Sequence, residues 1–189
     1  RGGLNMWLQE IGYVANRDTL DDVVGFDGET IGFAVGVDKP LFGLDALGLS
    51  IMQTIGEFND DFEGKDDFDS LSTQFNLYGS YSAGGFFIDA VGTYAFHDFE
   101  RTRLINFENF SRTVEADWNA TQFGGSAQAG YRVKLGRYGL SAAANVNYTK
   151  LDEDGYSEVV SNGIGFIVED RNTTSFRAGA SATIDALFT

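Results

Sequence analysis

Apolar and polar residues alternate along this chain with a period of two, which is the spacing of a β-strand with two unlike faces. Over Thr30 to Asp38, Ile31, Phe33, Val35 and Val37 point one way and Gly32, Ala34, Gly36 and Asp38 the other. Leu71, Thr73, Phe75 and Leu77 likewise oppose Ser72, Gln74, Asn76 and Tyr78. Phe86, Ile88, Ala90, Gly92, Tyr94 and Phe96 oppose Phe87, Asp89, Val91, Thr93 and Ala95. Phe123, Ala127, Ala129, Tyr131 and Val133 oppose Gly124, Ser126, Gln128, Gly130, Arg132 and Lys134. Leu140 to Tyr148 and Phe176 to Phe188 follow the same rule, Leu47, Leu49 and Ile51 begin another such run, and Asn5 to Val14 alternates poorly. The pattern predicts eight strands, over 4–15, 29–39, 46–58, 70–82, 86–98, 117–134, 140–151 and 173–188. Most reach the ~9–11 residues that a tilted strand needs to cross a bilayer, and exceed the ~5–6 typical of soluble sheets.

The connections alternate in length. Short ones carry turn chemistry: Lys39-Pro40-Leu41-Phe42-Gly43, Ser82-Ala83-Gly84-Gly85 and Gly136-Arg137-Tyr138-Gly139. Pro40 is expected in the first of these turns, where its missing N–H is harmless. Long connections are expected over 15–30, 57–70, 98–117 and 150–172. Tight turns on one rim and long loops on the other are the arrangement of an outer-membrane barrel.

Charge sharpens that partition. Of 28 acidic and 13 basic residues, 23 and 7 fall in the four long segments, so one rim carries -16 and the rest of the chain +1, for the formal net charge of -15. So acidic a chain lacks the clustered cations that nucleic acid requires. Cysteine is absent and His97 is the one histidine, which argues against disulfides, thiolate or imidazole metal sites and His-based catalysis. His97 stands beside Asp98 with no recognisable nucleophile motif, so no enzyme and no cofactor are expected. The acidic run Asp60, Asp61, Glu63, Asp66, Asp67 and Asp69 does not have EF-hand spacing and reads as a solvated rim.

The two faces then say which solvent each meets. A soluble barrel points its apolar face inward, whereas a membrane barrel points it outward and lines its interior with small and polar residues. The polar face contains Asp38, Gln74, Asn76, Asp89, Gln128, Arg132, Asn145, Asn147, Arg177 and Asp185 as candidate pore-lining residues, with Lys134 beside them. Their neighbours are mostly Gly, Ser, Ala and Thr, which leave room for a water-filled path. Tyr81, Phe86, Tyr94, Phe96, Tyr131, Tyr148, Phe176 and Phe188 lie near strand ends, as interfacial aromatic girdles do. Arg132 is expected in the lumen, paired with Asp89 or Asp185 or touching a threaded segment. The fold class is thus all-β, an antiparallel up-and-down transmembrane barrel, with a soluble calycin-like barrel as the alternative.

Three stretches in order carry a family resemblance: Gly84-Gly85-Phe86-Phe87-Ile88-Asp89-Ala90, Ala129-Gly130-Tyr131-Arg132-Val133-Lys134-Leu135-Gly136, and Tyr148-Thr149-Lys150-Leu151-Asp152-Glu153-Asp154-Gly155-Tyr156. Together the chain resembles the β-barrel translocator domain of bacterial autotransporters, the type V secretion system. The resemblance implies a barrel of about twelve strands in the outer membrane, exporting or anchoring an N-terminal passenger. It also implies outer-membrane lipid, lipopolysaccharide and the barrel-assembly machinery as partners. Eight strands and an ending Ala186-Leu187-Phe188-Thr189 lead to the expectation that the last strands of the barrel lie beyond this sequence. The other reading is a complete eight-stranded barrel serving as a structural or adhesive protein or a passive channel, which requires the first and eighth strands to pair.

Overall fold

The computed structural model describes residues 3–20, 24–60, 66–107, 110–158 and 165–186. Its strands are β1 (Asn5–Arg17), β2 (Phe26–Leu41), β3 (Leu44–Asp60), β4 (Asp66–Ala83), β5 (Phe86–Phe107), β6 (Phe110–Leu135), β7 (Tyr138–Glu153), β8 (Tyr156–Ser157), β9 (Ile167–Val168) and β10 (Arg171–Ala186). Eight of them form one antiparallel sheet in the order β1-β2-β3-β4-β5-β6-β7-β10, so the long strands pair in the order in which the chain runs. The short β8 and β9 pair with each other inside the connection from β7 to β10. Among the described residues β1 and β10 are the two edges, and no register joins them.

The sheet is strongly curled. Trp7 of β1 donates a hydrogen bond to Tyr78 of β4 at 2.6 Å, across three strand spacings that would span about 14 Å if flat. Towards one end, Phe26 of β2 and Arg171 of β10 line a common cavity, although five strands separate them in the sheet.

The hairpins at the opposite rim are two-residue turns whose conformation explains their composition. Phe42 and Gly43 have φ of 56° and 82°, and Gly84 and Gly85 have 58° and 92°, so both positions of each turn are left-handed. In the third, Gly136 alone has positive φ, 63°, and Arg137 follows it. Pro40 is not in the turn, as expected from sequence, but at the end of β2, where the register shifts between Lys39 and Leu41. A bulge accommodates proline as well as a turn does, because it interrupts the ladder that would need the N–H.

The long connection expected over 98–117 is likewise absent. β5 and β6 stay paired from Phe86↔Tyr131 to Phe107↔Phe110. The alternation simply continues beyond the apolar band with a changed outer face. Asp98, Glu100, Glu115 and Asp117 point outward and are exposed, while Phe99, Ala116 and Trp118 point inward. Density of charge marks the limit of the membrane here, not the end of the strand.

Within the membrane-height part of the sheet most large aliphatic residues face outward. Ile31 and Phe33 are 61% and 59% exposed, whereas Ala34 between the same strands is 6% exposed. On β5 the outward band from Phe86 to Phe96 takes ten steps. At 3.3 Å per residue and a tilt near 40° it stands roughly 25 Å tall, the height of an outer-membrane hydrocarbon band. Its upper border is drawn by carboxylates: Glu29, Glu57, Asp69, Glu100 and Asp117 are direct cross-strand neighbours on five successive strands, all outward and exposed. Like charges set opposite one another oppose pairing, and water's dielectric keeps that cost small. Hydrocarbon would not. Polar residues interrupt the outer face in places: Glu10 of β1 and Gln53 of β3 both lie outward opposite Phe33, and Lys150 of β7 lies outward opposite Phe123.

Candidate functional site

Alternation puts all ten polar positions singled out from sequence on the inward face. They are Asp38 on β2, Gln74 and Asn76 on β4, Asp89 on β5, Gln128 and Arg132 on β6, Asn145 and Asn147 on β7, and Arg177 and Asp185 on β10. Several share rows: Asp89, Gln128 and Asn145 are cross-strand neighbours, and Asn147 lies opposite Arg177. The inward face divides into three zones along the strands.

Near the tight turns, Asp89, Gln128, Arg132 and Asp185 surround an open cavity of about 730 Å³. Arg132 does not pair with Asp89 or Asp185, the ion pair expected from sequence. Its guanidinium lies 5.4 Å from the centre of the Phe87 ring instead. Gly130 makes that possible, because a Cβ there would sit 2.5 Å from the tip of Phe87, and the bare backbone lets the ring lie down across it.

The middle zone is a hydrogen-bonded chain that ties distant strands together. Trp7 Nε1 donates to Tyr78 Oη, Tyr78 Oη donates to Asp38 Oδ2 at 3.0 Å, and Asn5 Nδ2 donates to Asp38 Oδ1 at 3.0 Å. Asn76 is held by Gln74 at 2.7 Å and by Ser50 at 3.1 Å. Both rings rest on glycine: a Cβ on Gly36 would lie 2.3 Å from Trp7, and one on Gly48 would lie 2.4 Å from Tyr78. Trp7 escaped the sequence reading because β1 alternates poorly, and the partnership with Tyr78 depends on curvature. Beside this chain, Asp89, Gln128, Asn145 and Asn147 line a further cavity of about 470 Å³.

The outer zone is aromatic, which the sequence reading missed. Phe68 and Phe99 have centroids 5.4 Å apart, Phe99 and Trp118 5.4 Å, and Trp118 and Tyr156 4.5 Å with planes 19° from parallel. Continuing the inward alternation of β5 and β6 past Ala95 and Ala120 would have found Phe99 and Trp118. His97 belongs to this wall: it stacks on Phe99 at 5.7 Å, and its Nδ1 is 2.7 Å from Ser72 Oγ. Asp98, its neighbour in sequence, occupies the opposite face, so the two do not form a catalytic pair.

Ion pairs frame the aromatic wall. Arg101 makes a two-pronged contact with Asp66, with Nε 2.7 Å from Oδ1, and this hydrogen bonding raises the Arg101 pKa. Arg171 reaches Glu153 at 2.7 Å. Arg103 holds both oxygens of Glu158 at 2.9 and 3.0 Å, and its guanidinium lies 5.1 Å from the Phe166 ring. The Arg103 contacts, with the Asp154 N–H donating to Asn119 O at 2.9 Å, dock the β7–β10 connection against β5 and β6. Among the described residues no group of three acidic or histidine side chains is placed to hold a metal ion. Of the acidic run near position 60, Asp61 and Glu63 lie outside the described residues, and Asp66 and Asp67 face opposite ways.

Comparison with known proteins places this geometry. The family model described as the autotransporter beta-domain matches residues 6–189. Two extracellular serine proteases of Serratia marcescens are 27% identical over 143 residues and 25% identical over 152 residues, covering 76% and 80% of this chain. The chain spans only 14% of the length of either relative. The translocator domain of autotransporter NalP from Neisseria meningitidis superimposes with a TM-score of 0.64 at 14% identity, covering 96% of this chain and 60% of that one. The beta domain of the Bordetella autotransporter BrkA gives a TM-score of 0.58 at 18% identity, covering 95% of this chain and 68% of that one. An up-and-down sheet with its apolar face outward, matched by one family along residues 6–189, makes this chain a member of the autotransporter β-domain family of the bacterial outer membrane.

Proposed function

We propose that the inward face is the wall of a path along which a passenger polypeptide, carried on the same protein, crosses the outer membrane or is anchored in it. The observation that carries this reading is the inversion of the two faces. Ten polar side chains and many Gly, Ala and Ser residues face inward, while the outward face is an apolar band of bilayer height. The domain does no chemistry of its own; it keeps a wet route open through a medium that polypeptide backbone cannot enter unpaired. Narrowing that route tests the reading. Replacing inward Ser126 and Ser181 with Trp leaves the outward face intact and should slow appearance of the passenger at the cell surface. Unchanged export from a normally assembled barrel would contradict it.

The row of carboxylates above the apolar band supports contact with lipopolysaccharide through shared divalent cations, since carboxylate oxygens are hard ligands for Ca²⁺ and Mg²⁺. Calorimetry of the protein with lipopolysaccharide should then show divalent-ion heat beyond that of lipopolysaccharide alone, and its absence would refute the contact. The barrel-assembly machinery completes the proposed set of partners, because a sheet with free edges reaches hydrocarbon safely only once those edges are paired. The alternative of a closed eight-stranded channel needs β1 paired with β10, and the described register contains no such pair.

A further inference from the structure

The turn between β2 and β3 holds a residue that its backbone disfavours. Phe42 takes the left-handed conformation that such turns give to Gly, Asn or Asp, and a bulky side chain there strains the chain. The other two tight turns have glycine at every left-handed position. The Phe42 ring gains little packing in return. It is 88% exposed, more than any other large apolar side chain among the described residues.

The surface beside that ring continues the lipid-facing band. Gly79 is an outward position of β4, and a Cβ on it would lie 3.7 Å from both Leu44 and Leu47, so these two leucines cover the outer face. Leu41 is the cross-strand partner of Leu44 and shares that face. On β3 the band runs from Ile55, below Glu57 of the carboxylate row, to Leu44, eleven steps against ten on β5. Counted from the charged border, Phe42 stands at the opposite edge of the band, where the headgroups of the other leaflet begin. Elsewhere that edge carries rings on the strands themselves: Tyr81 and Phe86 on the β4–β5 hairpin, Tyr131 and Tyr138 on the β6–β7 hairpin. The outward positions at that end of β2 and β3 are Lys39, Leu41, Leu44 and Leu47, with no ring among them.

We propose that the β2–β3 turn is a lipid-binding anchor, in which the Phe42 ring sits at the boundary of headgroups and acyl chains and the exposed Lys39 ammonium meets a lipid phosphate. Tight turns of outer-membrane barrels face the periplasm, so the ligand is the phosphate-bearing lipid of that leaflet. Aromatic rings are favoured in this layer, and a lysine at the edge of hydrocarbon extends its ammonium towards phosphate. The anchor accounts for a bulky residue where Asn or Gly would relieve the backbone. It is independent of what the interior carries.

The test uses the full-length protein reconstituted in vesicles of phosphatidylethanolamine and phosphatidylglycerol. Phe42→Trp adds one indole at the tip of the turn, and emission of the unaltered protein is subtracted as background from Trp7, Trp118 and its other tryptophans. Bromine on the acyl chains near the headgroup is expected to quench the added emission roughly twofold or more, with acrylamide in the water far less effective. Phe42→Asn relieves the turn, yet it is expected to lower the urea midpoint for unfolding from the vesicles. Lys39→Gln should lower that midpoint as well, by more at low salt than at high. Added emission that acrylamide quenches and brominated lipid leaves unchanged would overturn the anchor, whether the tip is free in water or held by a protein. An equal or higher midpoint for Phe42→Asn would overturn it too, because relief of strain would then be the whole effect.

Discussion

At the scale of single residues, the wall depends on bare backbone beneath aromatic rings. Gly48 underlies Tyr78, and Gly36 underlies Trp7. Gly48→Val is expected to lower stability by about 1–3 kcal/mol through overpacking, read as a shifted urea midpoint. Trp7→Phe keeps the ring and removes the donor to Tyr78, at an expected cost of about 1 kcal/mol in the same assay. An unchanged midpoint in both would mean that the rings do not fasten β1 to β4. Which face a residue takes is legible at this scale. Period-two reasoning assigns a residue to a face without knowing its neighbours, and all ten polar candidates do face inward. What each one touches was not legible. Arg132 meets Phe87 and not a carboxylate, because Gly130 leaves a space that depends on register and ring rotamer.

At the scale of elements, strands outlast the membrane. The segment 98–117 is rich in charge and was expected to loop, yet β5 and β6 remain paired through it. Polarity along a segment does not by itself mark irregular structure. A strand with one face in water and the other against an aromatic wall satisfies its backbone equally well. Placing Glu100 between Asp69 and Asp117 sets like charges opposite each other on both sides. Glu100→Lys should therefore stabilise by about 0.2–1 kcal/mol per rung, and the gain should shrink as salt rises. A gain insensitive to salt would argue against a charge effect. The docked connection makes its own prediction. Arg103→Ala removes both bonds to Glu158 and the contact with Phe166, so limited proteolysis should cut between β7 and β10 faster than in the unaltered protein. Equal cutting rates would show that Arg103 does not hold the connection down.

At the scale of the whole molecule, one inversion organises everything else: the sheet curls with its apolar side out. Fold class and strand order were legible because alternation, glycine turns and a charged rim all agree on one architecture. Which side chains the curl brings together was not, since that depends on the summed twist of neighbouring strands and leaves no mark on any one of them. The same inversion makes charge tolerance one-sided. Outward Ala127→Arg should cost roughly 2–4 kcal/mol near the bilayer middle, whereas inward Ser126→Arg should cost far less. The most direct test of the inversion is a water-accessibility scan. The chain has no cysteine, so single cysteines at 123 to 133 on β6 report without background from this domain. In assembled outer membranes, a small charged thiol reagent should modify cysteines at Gly124, Ser126, Gln128, Gly130 and Arg132 and spare those at Phe123, Gly125, Ala127 and Ala129. Modification in the opposite phase, or without any period of two, would contradict a barrel that carries water inside and meets lipid outside.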